Sequence, residues 1–95
     1  MRLPGPERIF GGEYARNVGG VVMYGADWCG DCRRAKRLLE RLRVNYRWID
    51  VEHDADKAEE ARRIGGSRRI PVIILPDKSI LVEPTDAELE AKLAG

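Results

Sequence analysis

Ninety-five residues, of which 43% are hydrophobic and 35% charged, make one small globular domain with a modest core and leave no room for a second. The 17 basic side chains meet 16 acidic ones for a formal net charge of +1, so no overall field recommends nucleic acid or a membrane surface as a partner.

Residues 1–19 carry Pro4, Pro6, Gly11 and Gly12 amid scattered charge with no hydrophobic period. They read as an N-terminal tail ahead of a domain spanning 20–95. The opening Met1-Arg2-Leu3-Pro4-Gly5-Pro6-Glu7 lacks the apolar stretch of a secretory leader, and no later run reaches membrane-spanning length. A cytoplasmic protein is expected.

Gly20 to Gly25 holds a short continuous apolar run, Val21, Val22, Met23 and Tyr24, of the kind a strand covered on both faces needs. Asp27-Trp28-Cys29-Gly30-Asp31-Cys32 follows, with the chain's two cysteines. From Gly30 to Arg43, Ala35, Leu38, Leu39 and Leu42 recur at i, i+3, i+4 and i+7 among charged residues, which predicts an amphipathic helix. Asn45 breaks it, and Tyr46 to Val51 is rich in the aromatic and β-branched residues of a strand. Asp54 is placed to cap a helix from Ala55 to about Ile64, buried on Ala58, Ala61 and Ile64 and stopped by Gly65-Gly66. Ile70 to Leu75 reads as a third strand, with Pro71 at its beginning because proline has no N–H for the ladder. Pro76-Asp77-Lys78-Ser79 is turn chemistry, and Ile80-Leu81-Val82 returns antiparallel. Pro84 ends the sheet. Thr85 and Glu88 then form a capping box for a last helix that buries Leu89 and Leu93. The order is βαβαββα, an α/β domain.

Two sulfurs three positions apart meet where the backbone turns into the first turn of a helix. Such a junction leaves unpaired N–H groups and the positive helix end facing Cys29, worth about 0.3–2 kcal/mol to a thiolate. Asp27 and Asp31 oppose it by about 1 kcal/mol if a carboxylate lies about 8 Å away at an effective dielectric of about 40. The two effects nearly balance, which suits a nucleophile working near neutral pH. A purely structural bridge over so short a loop contributes about 2 kcal/mol. Zinc needs four ligands, and the chain has two cysteines and His53, itself in the acidic Glu52-His53-Asp54 turn. No metal is therefore expected, and His53 reads as structural. Close Cys-x-x-Cys spacing beside a βαβ pattern in a reducing compartment points to redox chemistry.

The element order, Trp28-Cys29-Gly30-Asp31-Cys32 at the first helix and Ile70-Pro71 before the third strand together resemble the thioredoxin fold in its short glutaredoxin form. The likeness covers Gly20 to about Leu93. Trp28-Cys29-Gly30, Ile49-Asp50-Val51-Glu52-His53-Asp54 and Pro84-Thr85 bring it nearest the mycoredoxin-like branch of actinobacteria. The resemblance implies a four-stranded mixed sheet flanked by three helices and a thiol-disulfide oxidoreductase. Cys29 becomes the exposed nucleophile, Cys32 the resolving thiol, and Ile70-Pro71 a cis peptide facing Cys29. The Ile70 backbone would pair with an extended substrate like an added strand.

Around that centre, Trp28, Asp31, Arg69, Ile70, Pro71, Thr85 and Asp86 are the candidate substrate contacts. Trp28 precedes the nucleophile, Asp31 separates the cysteines, and Arg68-Arg69 stands ahead of Pro71. Thr85 and Asp86 open a helix whose N–H groups suit an anion. Several positions depart from the family pattern. Asp31 stands where glutathione-using glutaredoxins carry tyrosine and thioredoxins proline. Ala26-Asp27 replaces a basic residue, Glu83-Pro84 replaces Gly-Gly, and Met23 occupies the place of a buried thioredoxin aspartate. With no phosphate-binding loop in the chain, electrons are expected from a low-molecular-weight thiol, mycothiol or glutathione, or from thioredoxin reductase. Protein disulfides or mixed disulfides would be the substrates of a monomer with no bound cofactor. The alternative is a thioredoxin-fold binding module or iron-sulfur carrier whose cysteines do not turn over.

Overall fold

The computed structural model describes residues 20–94, so the tail expected over 1–19 lies outside the described residues. The apolar run of the first strand, β1 (Val21–Gly25), lies between a parallel partner, β2 (Tyr46–Asp50), and an antiparallel one, β3 (Val72–Ile74). β4 (Ile80–Val82) pairs antiparallel with β3 and completes a mixed sheet ordered β2-β1-β3-β4. Register sets Met23 beside Trp48 and Ile73, and Tyr24 beside Ile49 and Val72. Strand alternation then divides the apolar side chains between two faces.

Helices α1 (Gly30–Arg41) and α3 (Asp86–Ala94) cover one face. Val21, Met23, Ala35, Leu38, Leu39, Ile73, Leu75 and Leu89 close into a single core there. Helix α2 (Ala55–Gly65) covers the other, where Tyr24, Ala61 and Val72 pack with Val22, Ile49 and Ile64. Among the described residues, three helices thus flank a four-stranded mixed sheet in the order βαβαββα, as the resemblance implies.

The predicted local signals operate as their chemistry requires. Asp54 caps α2 by accepting from the Lys57 N–H at 3.1 Å. Gly66, at φ 81, ends that helix in the left-handed conformation that glycine adopts without a Cβ penalty. Thr85 and Glu88 exchange both bonds of the capping box, Glu88 N to Thr85 Oγ1 at 3.0 Å and Thr85 N to Glu88 Oε1 at 2.9 Å.

Three boundaries differ. Helix α1 stops at Arg41 rather than Arg43, because Arg43 turns to φ 60 and donates to Glu40 O, reversing the chain before Asn45. β2 stops at Asp50, although Val51 N still donates to Gly25 O at 3.0 Å. β3 is confined to Val72–Ile74 because Ile70 and Pro71 form a cis peptide ahead of it and Leu75 N bonds across the turn to Ser79 O.

Candidate active site

The chain leaves β1 through Ala26 and reaches α1 with Cys29 as the N-cap residue, extended at φ −81 and ψ 118. Its sulfur accepts the N–H of Cys32 at 3.2 Å, the role an N-cap oxygen ordinarily fills. Cys29 N donates to Ala26 O at 3.1 Å and so closes the approach turn. Cys29 Sγ also donates to Ile70 O at 3.9 Å, which brings the cis Ile70-Pro71 segment against it, as the resemblance implies.

The two thiols differ in burial. Cys32 has no exposed surface, whereas Cys29 keeps 7% of its own. The expected exposed nucleophile is thus nearly closed over, because Ala26, Trp48 and Ile70 pack around the pair. Cys29 opens into a recess of about 440 Å³ lined by Trp28, Gly30, Asp31, Arg68, Arg69, Ile70 and Glu83. Burial above all, and then the adjoining Cys29 sulfur, push the Cys32 thiol well above the ordinary thiol range. Cys32 is held protonated. Met23 is fully buried on β1, and no buried charged side chain lies among the described residues to draw that proton away.

This packing requires glycine at position 25. A Cβ there would stand 2.7 Å from Cys32 Sγ and 2.8 Å from the Trp48 ring. Trp48 in turn carries Lys36 Nζ 4.1 Å above its ring centroid, a cation-π contact on the outer side of the thiol pocket.

Most of the candidate contacts come together. Trp28, Asp31, Arg69 and Ile70 line the recess, with Trp28 64% exposed. Pro71 is buried behind Ile70. Thr85 and Asp86 are engaged elsewhere: Thr85 in the capping box, and Asp86 with Arg34, whose Nε lies 3.1 Å from Asp86 Oδ1. Arg34 also bonds Asp31 Oδ1 at 2.8 Å and Pro84 O at 3.1 Å, tying the Cys-Gly-Asp-Cys turn to the entry of α3. Sequence reasoning missed Arg34 and Glu83 as members of the site. The i,i+3 spacing of Asp31 and Arg34 was a readable signal, and so was the charged residue in place of glycine at 83.

Beyond the thiols, a groove of about 390 Å³ runs from Trp28 and Ile70 along Ala55 and Ala58 of α2. Asp50, Glu52 and His53 bring three potential ligand atoms within 4.8 Å. Their turn accounts for the closeness: Asp50 accepts from Glu52 N at 2.7 Å and pairs with His53 Nδ1 at 2.8 Å, which raises the His53 pKa and lowers that of Asp50. Among the described residues no helix is long and apolar enough to cross a membrane.

The glutaredoxin family model matches residues 21–80. A Mycobacterium tuberculosis protein provisionally named a glutaredoxin is 36% identical over 74 residues, spanning 77% of this chain and 88% of the relative. A Pseudomonas aeruginosa glutaredoxin is 38% identical over 53 residues, 56% of this chain and 63% of its own length. Among solved structures, a glutaredoxin from Archaeoglobus fulgidus superposes with a TM-score of 0.72 at 25% identity, covering 97% of this chain and 100% of that one. Methanosarcina acetivorans methanoredoxin gives 0.70 at 25% identity over 82% of this chain and 93% of its own. Members of the matched family are generally thiol-disulfide oxidoreductases that act with low-molecular-weight thiols and hold no prosthetic group. With its paired thiols at the head of α1 and its four-stranded sheet, the chain belongs to the glutaredoxin family.

Proposed function

We propose that the protein reduces mixed disulfides between proteins and a low-molecular-weight thiol, through Cys29 as nucleophile and Cys32 as resolving thiol. The asymmetry of the pair carries this reading: Cys29 reaches the recess while Cys32 is fully buried and held protonated by that burial. Cys29 thiolate attacks one sulfur of the substrate disulfide. A new S–S bond forms as the old one breaks, and the departing thiolate takes a proton from solvent. A second molecule of small thiol then attacks the Cys29 adduct and regenerates the free thiol, two electrons passing from the small thiols to the substrate. Where no small thiol arrives, Cys32 loses its proton as it closes the Cys29–Cys32 disulfide and expels the adduct.

The electron donor is proposed to be a small thiol, mycothiol ahead of glutathione. The resemblance to the mycoredoxin-like branch supports it, and so does the absence of the tyrosine, basic residue and Gly-Gly that the resemblance associates with glutathione. Trp28, Asp31, Arg69, Ile70 and Pro71 are proposed to receive the substrate, with Thr85 and Asp86 acting from outside the recess, where Asp86 holds the Arg34 that bridges to Asp31.

NADPH consumption with a mixed-disulfide substrate, coupled in parallel to mycothiol and its reductase, glutathione and its reductase, or thioredoxin reductase, tests this. Turnover is expected in a small-thiol arm, lost in Cys29→Ser and retained in Cys32→Ser. An inactive Cys32→Ser, or turnover with thioredoxin reductase alone, rules out the small-thiol route.

A further inference from the structure

One wall of the Cys29 recess is built from a residue whose backbone does not suit its side chain. Glu83 stands at φ 50, in the left-handed region that favours glycine. Among the described residues two other non-glycine residues share that region, Arg43 after α1 and Lys78 in the β3–β4 turn, where chain reversal explains them. Glu83 stands at the bend where the chain leaves β4 for α3, and it also lines the space beside Cys29. An unfavourable conformation held next to a reactive group asks what the side chain does there.

Its backbone is fixed by donation from Glu83 N to Pro71 O at 2.9 Å, against the segment that also contacts Cys29. Its carboxylate lies 3.6 Å from Arg69 Nε across the recess, with the Glu83 side chain 35% exposed. The next residue, Pro84, has no N–H to offer an incoming anion, and its carbonyl is taken by Arg34. Four charged side chains line the recess, Asp31 and Glu83 against Arg68 and Arg69. Asp31 is already bridged by Arg34, and Arg69 by Glu83. A substrate carboxylate entering here would find Glu83 on Arg69 and add a like charge beside it. The remaining cation, Arg68, is already shared with Glu59 of α2, whose pKa is lowered by Arg62 above all and by Arg68 with it.

We propose that Glu83 is a specificity-determining residue: by occupying Arg69 it steers the Cys29 recess away from carboxylate-bearing thiols and toward disulfides whose small-thiol half is uncharged or carries an amine. The assignment rests on disulfide exchange at Cys29 as proposed above. In each exchange a Cys29–small-thiol S–S bond forms as the original one breaks and the peptide leaves as a thiolate that is then protonated, so Glu83 acts on the charge of the half held in the recess without joining the bond changes.

The test uses one reporter peptide with a single cysteine, joined in turn to mercaptoethanol, cysteamine or mercaptopropionic acid, and reduced by the full chain under single-turnover conditions. Wild type is expected to favour the cysteamine adduct over the mercaptopropionic acid adduct. In Glu83→Gln, which preserves size and the backbone, each charged adduct is expected to shift about three- to fivefold in opposite directions relative to the mercaptoethanol adduct, the size one partly solvated charge supports. The carboxylate-to-amine ratio then rises on the order of tenfold, Glu83→Lys carries it further, and added salt weakens all three differences. An unchanged ratio in both variants, with the mercaptoethanol adduct still reduced, overturns the specificity role and leaves the exchange reaction standing. Failure of wild type to reduce even the mercaptoethanol adduct overturns both.

Discussion

The two faces of the sheet are built on different principles. On the α1 and α3 side, Met23, Leu38, Leu39, Ile73 and Leu89 are buried to 1% exposure or less and meet as large aliphatic side chains. On the α2 side the buried set is Tyr24, Ala61 and Val72, and Tyr24 OH donates to Glu60 at the edge of the layer. Gly65 lets α2 close on the sheet, since a Cβ there would meet Val72 Cγ2 at 3.0 Å. The first face fixes the helix that carries both cysteines, and its rigidity is bought with area. The second is thin and polar-edged, so it tolerates change with less effect on the thiols.

Breaking the aliphatic face gives the largest expected effect. Leu38→Ala leaves a cavity under α1 and should cost toward the upper end of about 2–5 kcal/mol in denaturant titrations, where Ile64→Ala on the other face, at a half-buried position, should cost no more than the lower end. Equal losses would erase the distinction between the faces. Next comes Gly25→Ala, which forces Cys32 and Trp48 aside and should cost about 1–3 kcal/mol. It should also slow formation of the Cys29–Cys32 disulfide, followed by thiol titration. Gly30→Ala is its control: nothing lies within 4 Å of the added methyl, so stability should move by no more than about 0.5 kcal/mol.

Smaller effects sharpen the polar side. Burial first, then the Glu60 hydrogen bond, raise Tyr24 from 10.0 to about 12. The folded state therefore keeps the phenolic proton where the unfolded chain has lost it, and stability should fall as pH rises from about 10 to about 12. Tyr24→Phe removes this slope. It should be less stable near neutral pH by about 1 kcal/mol, with the deficit shrinking across that alkaline window. Arg34→Met should have a small effect on stability, about 0–1 kcal/mol and diminishing with salt, because its partners Asp31 and Asp86 are 45% and 41% exposed.

The elements were legible because hydrophobic period, capping residues and turn residues agreed along the chain. Ala35, Leu38 and Leu39 marked the buried stripe of α1, and Thr85 with Glu88 marked the start of α3. The end of α1 was not legible, since Arg43 takes a left-handed turn without the glycine that usually announces one. At the site, the cysteine pair and the Ile70-Pro71 neighbour could be read from the motif and the family likeness. The near closure of Cys29 could not, because Trp48 and Ile70 reach it from β2 and from the segment ahead of β3, far along the chain. The same holds for the Arg34–Asp86 bond across 52 positions and for Arg69 meeting Glu83. Sequence periodicity reports which face a side chain occupies, while a pocket wall depends on how separate loops converge.

The sulfur of Cys29 is also the cap of α1, and that gives the helix two states. With Cys29 reduced its sulfur accepts the Cys32 N–H at 3.2 Å; once bonded to another sulfur it is a weaker acceptor, and the first turn of α1 is expected to lose part of its closure. The helix is thereby a participant in the electron balance. Whatever stability the cap lends to the reduced protein must be given up on oxidation, so a stronger cap makes a poorer electron donor and a better acceptor. The start of α1 sets part of the reduction potential.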